Sequence, residues 1–87
     1  MTIYVDPLRQ CPGPPGQFER YWAHLMTDGP DKELHAFAAR IRLKRQWFQG
    51  DHYDLGRRRY ADALALGAVK VTTRELVRLR QKRREGA

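Results

Sequence analysis

Apolar positions along the chain fall into short runs and stripes that predict alternating strands and helices. Ile3, Tyr4 and Val5 are good strand formers, so a short strand is expected over 2–6, ended or bent away by Pro7. Cys11 to Gly16 reads as a loop, because its prolines and glycines defeat both helix and strand. Phe18, Trp22, Leu25 and Met26 share one face at helical spacing, which predicts a helix from Phe18 to Thr27, broken by Asp28-Gly29-Pro30. Over Lys32 to Arg42, the positions of Leu34, Phe37, Ala38 and Ile41 trace the buried stripe of the clearest helix. Leu43 to Phe48 predicts a second strand, and Arg57 to Leu66 a third helix with Gly67 as its C-terminal cap. Ala68 to Thr72 predicts another strand. Thr72 and Glu75 then fit a capping box that opens a last helix over 73–83, with a frayed basic tail over about 80–87.

The order β-α-α-β-α-β-α predicts one α/β domain over residues 1–87, with a short, mostly parallel sheet covered by helices. In such sheets ligands bind beyond the carboxyl ends of the strands. Those ends carry Asp6, then Gln49 to Asp54, then Thr72 and Thr73.

Length narrows this picture. A chain of 87 residues holds one domain and buries about 60–65% of its unfolded surface, so a homo-oligomer would add useful burial. No apolar run approaches the roughly 20 residues of a membrane span, and Met1 to Asp6 lacks the basic start and long apolar stretch of a signal peptide. The expectation is a cytoplasmic protein with no membrane partner. The single cysteine, Cys11, excludes an internal disulfide and a cysteine metal cage.

Charge adds a partner class. The formal net charge is +7, which favours nucleic acid, nucleotides or acidic proteins. The cations form three groups: Arg40, Arg42, Lys44 and Arg45; Arg57, Arg58 and Arg59; and the run from Arg74 to Arg84. A set of solvated helix faces would produce the same clustering.

The segment Trp47-Phe48-Gln49-Gly50-Asp51-His52-Tyr53-Asp54 mixes aromatics, an amide, carboxylates, an imidazole and a phenol. Neither a core nor a helix surface needs that mixture, so it reads as a site. His52 and Asp54 stand two apart and point to one side of an extended segment. His24, Asp28, His35 and Asp6 are the other candidates for bringing imidazole and carboxylate together. Such a set suits Zn, Mn or Fe, whereas carboxylates alone suit Mg. Structural roles compete for most of them. Asp28 also reads as a helix N-cap, His35 as a core-edge histidine, His24 as ordinary packing and Asp6 as a turn cap. The spacing matches no strict metal signature, and Gly50 and Gly56 lack the spacing of a phosphate loop.

Several segments together resemble a family of small bacterial and phage proteins catalogued only as a domain of unknown function. They are Tyr4-Val5-Asp6, Trp22 to Asp28, Glu33 to Ala38, Trp47-Phe48, His52-Tyr53-Asp54 and Gly67-Ala68. The resemblance implies a compact cytoplasmic domain of this length. It carries over no activity, substrate or catalytic residue.

Three functions accommodate these features. In the first, the chain associates with nucleic acid or nucleotide: Arg45, Arg57, Arg58 and Arg59 neutralise phosphate, Trp47 and an exposed Tyr53 stack bases, and His52 and Asp54 make polar contacts. The second is a phosphodiesterase or nuclease that uses a divalent metal. Its catalytic set is His52, Asp54 and His35, with His24, Asp28, His52, Asp54 and Asp6 as metal ligands. The third is an interaction module or homodimer that docks through the last helix.

Overall fold

The computed structural model describes residues 2–11 and 20–85. Among these residues five strands and three helices follow in the order β1 (Ile3–Val5), β2 (Arg9–Cys11), β3 (Arg20–Thr27), α1 (Asp31–Arg40), β4 (Tyr53–Leu55), α2 (Arg57–Ala65), β5 (Val69–Lys70) and α3 (Thr73–Glu85). A 3₁₀ turn, Arg45–Trp47, lies between α1 and β4.

The centre of the sheet is β3, and it corrects the sequence reading most. The expected helix over 18–27 is a strand from Arg20 onward; Phe18 lies outside the described residues. Ala23, Leu25 and Thr27 alternate onto one buried face, while Trp22, His24 and Met26 take the other. Met26 is also buried, so the second half of the strand is apolar on both sides and imitates helical spacing. Pairing on both edges, with β1 and β2 on one side and β4 on the other, overrides that local signal.

The sheet is mixed rather than mostly parallel. β3 runs antiparallel to β1, β2 and β4, and among the described residues only β1 and β5 are parallel. Leu43 to Phe48 is not a strand. Leu43 enters the core, but Arg45, Gln46 and Trp47 are exposed and have no strand to pair with. The strand falls later, at β4, after a tight turn at Gly50 (φ 85°) in which the Gln49 N–H donates to the His52 carbonyl at 2.9 Å. Cys11 closes β2, and Pro12 to Gly16 of the expected loop lie outside the described residues.

Helices cover both faces. Leu34 and Ala38 of α1 and Tyr60 and Ala63 of α2 join Val5, Ala23, Leu25, Tyr53 and Leu55 in one core. Across the sheet, α3 lays Leu76 beside Met26. The Glu75 N–H donates to Thr72 Oγ1 at 3.1 Å, which supplies one half of the expected capping box. The helix runs to Glu85, and Arg83 is pinned to Asp31 at 2.6 Å. Among the described residues no helix is long and apolar enough to cross a membrane.

Candidate metal centre

β1 and β2 pair with the same edge of β3 but in registers one residue apart, Val5↔Leu25 and Arg9↔Trp22. Asp6, Pro7 and Leu8 therefore face only Ala23 and His24, which is a β-bulge, and Pro7 fits there because it has no N–H to offer. The bulge turns the fully buried Asp6 carboxylate across the strand. Its Oδ1 accepts the His24 backbone N–H at 2.7 Å, and its Oδ2 accepts from His24 Nδ1 at 2.8 Å. Thr73 Oγ1 at 3.4 Å and Arg9 at 3.5 Å complete its shell. Burial pushes the Asp6 carboxyl up, but the hydrogen bonds from His24 and the charges of His24 and Arg9 outweigh it and lower its pKa. The hydrogen bond to Asp6 raises the His24 pKa, against the opposing effect of burial.

The neighbouring strand repeats the device. β4 sets Asp54 directly opposite His24 in the antiparallel register. His52, just before β4, places Nδ1 2.6 Å from Asp51 Oδ1, and Asp51 is held in turn by Arg80 of α3. Burial raises the Asp51 carboxyl, while His52 and Arg80 together bring it below its ordinary value.

Carboxylates only accept hydrogen bonds, so each imidazole carries its proton on Nδ1 and presents the Nε2 lone pair when neutral. Both Nε2 atoms point at Asp54 Oδ1, at 3.4 Å from His52 and 4.0 Å from His24. The two rings meet edge to face, 5.1 Å apart. Gln49 Nε2 holds the other Asp54 oxygen at 2.5 Å. One ligand atom from each of His24, His52 and Asp54 lies within 4.8 Å of the others. A tetrahedron with bonds of 2.0–2.1 Å has edges of about 3.3 Å, so His52 and Asp54 already stand at coordinating spacing and His24 would have to move in toward them.

The remaining candidates separate. Asp28 follows the end of β3, four residues on from His24 and roughly 13 Å away, where it accepts from the Thr2 N–H at 2.8 Å and the Tyr4 hydroxyl at 3.1 Å. Those hydrogen bonds lower its pKa. It caps the β1–β3 end and takes no part in the cluster. Asp6 supports His24 from behind rather than offering a ligand atom. His35 lies on the opposite face of the sheet, 2.8 Å from the Tyr53 hydroxyl and edge-on to Phe48. Tyr53, expected to be exposed, is fully buried. Strand alternation explains this: Tyr53 and Leu55 face the core, and Asp54 faces the other way.

The basic and aromatic residues do not all share one surface. Arg45 stacks on Phe48, Arg57 on Tyr21, and Arg59 on Trp47 beside Lys44. Arg58 and Arg59 line a cleft on the side of α1 and α2. Asp51 lies in the segment, and Thr73 at the strand end, that the sequence marks, but their pairing with His52 and Asp6 was not anticipated, nor was a part for Arg9 or Arg80 at this site. Asp51 had a local signal, a carboxylate adjoining a histidine, and Arg9 stands three residues from Asp6, but Thr73 and Arg80 reach the site only through long-range packing.

The architecture defines a small α/β domain in which His24 on β3, His52 just before β4 and Asp54 on β4 converge on one sheet face. Residues 3–83 match the family described as "Protein of unknown function (DUF4031)", and the chain belongs to it. No curated protein and no solved structure matches the chain.

Proposed function

We propose that the chain is a metal-dependent hydrolase, with His24, His52 and Asp54 as ligands to a divalent ion such as Zn²⁺, Mn²⁺ or Fe²⁺. One observation carries this reading: both histidines give Nδ1 to a carboxylate and aim Nε2 at the same carboxylate oxygen. Outer carboxylates of this kind fix the tautomer and raise the basicity of metal-binding imidazoles. A structural ion pair needs one such partner, not a matched set on two strands.

Three protein ligands leave a coordination position for water, and a bound ion lowers the pKa of that water toward neutrality. The side chains of Asp54 and His24 are 37% and 43% exposed, so solvent and substrate reach the ligand atoms, while His52 at 14% anchors the set. Arg9 lies half-exposed beside Asp6, and the net charge of +7 favours an anionic substrate. A phosphoester is the substrate class that fits both features.

Elemental analysis of purified wild type, His52→Ala and Asp54→Asn tests the ligand set, with circular dichroism confirming that each variant folds. Hydrolysis of bis-p-nitrophenyl phosphate with added Zn²⁺ or Mn²⁺ tests the chemistry. Near-stoichiometric metal in wild type, lost in both variants together with turnover, is the expected outcome. Equal metal uptake by folded His52→Ala would remove the ligand assignment, and a loaded wild type that hydrolyses no phosphoester would remove the substrate class.

A further inference from the structure

α1 and α2 end in the same backbone motif but with different residues at its critical position. In α2 the Ala68 N–H reaches the Ala63 carbonyl at 2.9 Å and the Gly67 N–H reaches Leu64 at 3.1 Å, with Gly67 at φ 109°. In α1 the Leu43 N–H reaches Ala38 at 2.9 Å and the Arg42 N–H reaches Ala39 at 3.1 Å. The left-handed residue there is Arg42, at φ 64°. Glycine is the usual occupant of this position, because a Cβ crowds the neighbouring carbonyl. Among the described residues Arg42 alone departs from that rule. Strain of this sort points toward a task for the side chain.

Arg42 lies on the rim of an open cleft of about 650 Å³ between the end of α1 and the side of α2. Arg40, Arg58 and Arg59 line the same cleft, and Asp62 is the one carboxylate there. None of the four guanidiniums forms an ion pair among the described residues. Arg59 lies against the ring of Trp47, an indole 41% exposed, and donates to the Arg42 carbonyl at 3.4 Å. The cations lining the cleft are all arginine, whose planar fork pairs with phosphate oxygens two at a time. The partly exposed indole of Trp47, flanked by Arg59 and Lys44, adds aromatic surface for a base next to these cations.

We infer that this cleft binds the phosphodiester backbone of a single-stranded nucleic acid, with Arg42 and Arg58 as phosphate contacts. The site lies across the sheet from His24, His52 and Asp54, and it does not depend on the metal reading.

The test is fluorescence anisotropy of a fluorescein-labelled single-stranded oligodeoxynucleotide, titrated with full-length protein at several salt concentrations. Wild type, Arg42→Gly, Arg58→Ala and His52→Ala are compared, and melting temperature is measured for each. Arg42→Gly and Arg58→Ala should each weaken binding about tenfold and reduce the slope of log K against log salt by about 0.7. His52→Ala should bind as wild type does. Arg42→Gly should also melt several degrees higher, because the strain is relieved. Weaker binding with a higher melting point separates a ligand contact from a structural one. Unchanged affinity in both arginine variants would overturn the inference, as would a lower melting point in Arg42→Gly. Competition by polyglutamate equal to that of unlabelled oligonucleotide would show charge attraction alone and reject the nucleic-acid assignment.

Discussion

Asp6 and His24 face each other across the bulge between β1 and β2 and are joined twice, through the His24 backbone N–H and through its Nδ1. The double link fixes the ring as well as the strand. Asp6→Asn preserves the shape and can keep the backbone bond, but its amide now presents an N–H to Nδ1. The imidazole must then hold its proton on Nε2, where a metal would bind. Metal affinity should fall ten- to a hundredfold while the fold survives, a typical cost for removing an outer partner. Titration with Zn²⁺ measures the affinity, and nitrogen shifts of the His24 ring report the tautomer. Unchanged affinity with the Nδ1–H tautomer retained would show that Asp6 only closes the bulge.

Leu25 sits on the core face at the centre of β3, and stability should depend on it far more than on an exposed apolar side chain. Leu25 is fully buried between the paired strands and the helices, so Leu25→Ala should cost about 2–5 kcal/mol. Val77 on α3 is 48% exposed, and Val77→Ala should change stability by less than about 0.5 kcal/mol. Urea denaturation of both variants checks the contrast. A small loss at Leu25 would mean that β3 is not the centre of the core.

The sequence exposed α1, α2, β5 and the start of α3, because their apolar stripes and caps are local. It hid β3, where burial on both faces blurs the alternation of Ala23, Leu25 and Thr27. It also hid the sheet's direction, since antiparallel pairing between β3 and β4 spans all of α1. His52 and Asp54 were legible from their spacing, and His24 from its residue type. The separation of His35 and Asp28 from them was not. A strand sends neighbouring residues to opposite faces, and a helix reading of residues 18–27 gives no hint of which face His24 shares. Thr73 and Arg80 reach the site only because α3 folds back over the sheet.

His35 and His24 should titrate on opposite sides of the ordinary histidine value. Burial, reinforced by the charge of Arg45, lowers the His35 pKa, while the hydrogen bond to Asp6 raises that of His24. A lowered histidine favours the neutral folded form. Its contribution is complete above about pH 6.5 and is lost as pH falls from there through the folded value. A raised histidine behaves in reverse: its contribution is complete below about pH 6.5 and is lost as pH rises through the folded value. In metal-free protein the two effects oppose each other. Removing His35 with His35→Gln should leave stability rising more steeply toward acid, from pH 8 to pH 5, than in wild type. Per-residue proton NMR titration gives the two pKa values directly, and the reverse order would contradict the hydrogen-bond assignment at Asp6.

Metal binding to a site formed only in the folded state must appear as stability. An ion at a hundred times its dissociation constant adds about 2.7 kcal/mol, which in a domain of this size is roughly 10–20 °C of melting temperature. Zn²⁺ should produce that rise, a chelator should reverse it, and Asp54→Asn should blunt it. Mg²⁺ should do far less, because two of the three ligand atoms are imidazole nitrogens and Mg²⁺ prefers oxygen. Differential scanning fluorimetry with each ion separates a coordinating site from general charge screening. Equal shifts from Zn²⁺ and Mg²⁺, or a Zn²⁺ shift that persists in Asp54→Asn and His52→Ala, would mean that the two histidines and the carboxylate hold the sheet together without holding an ion.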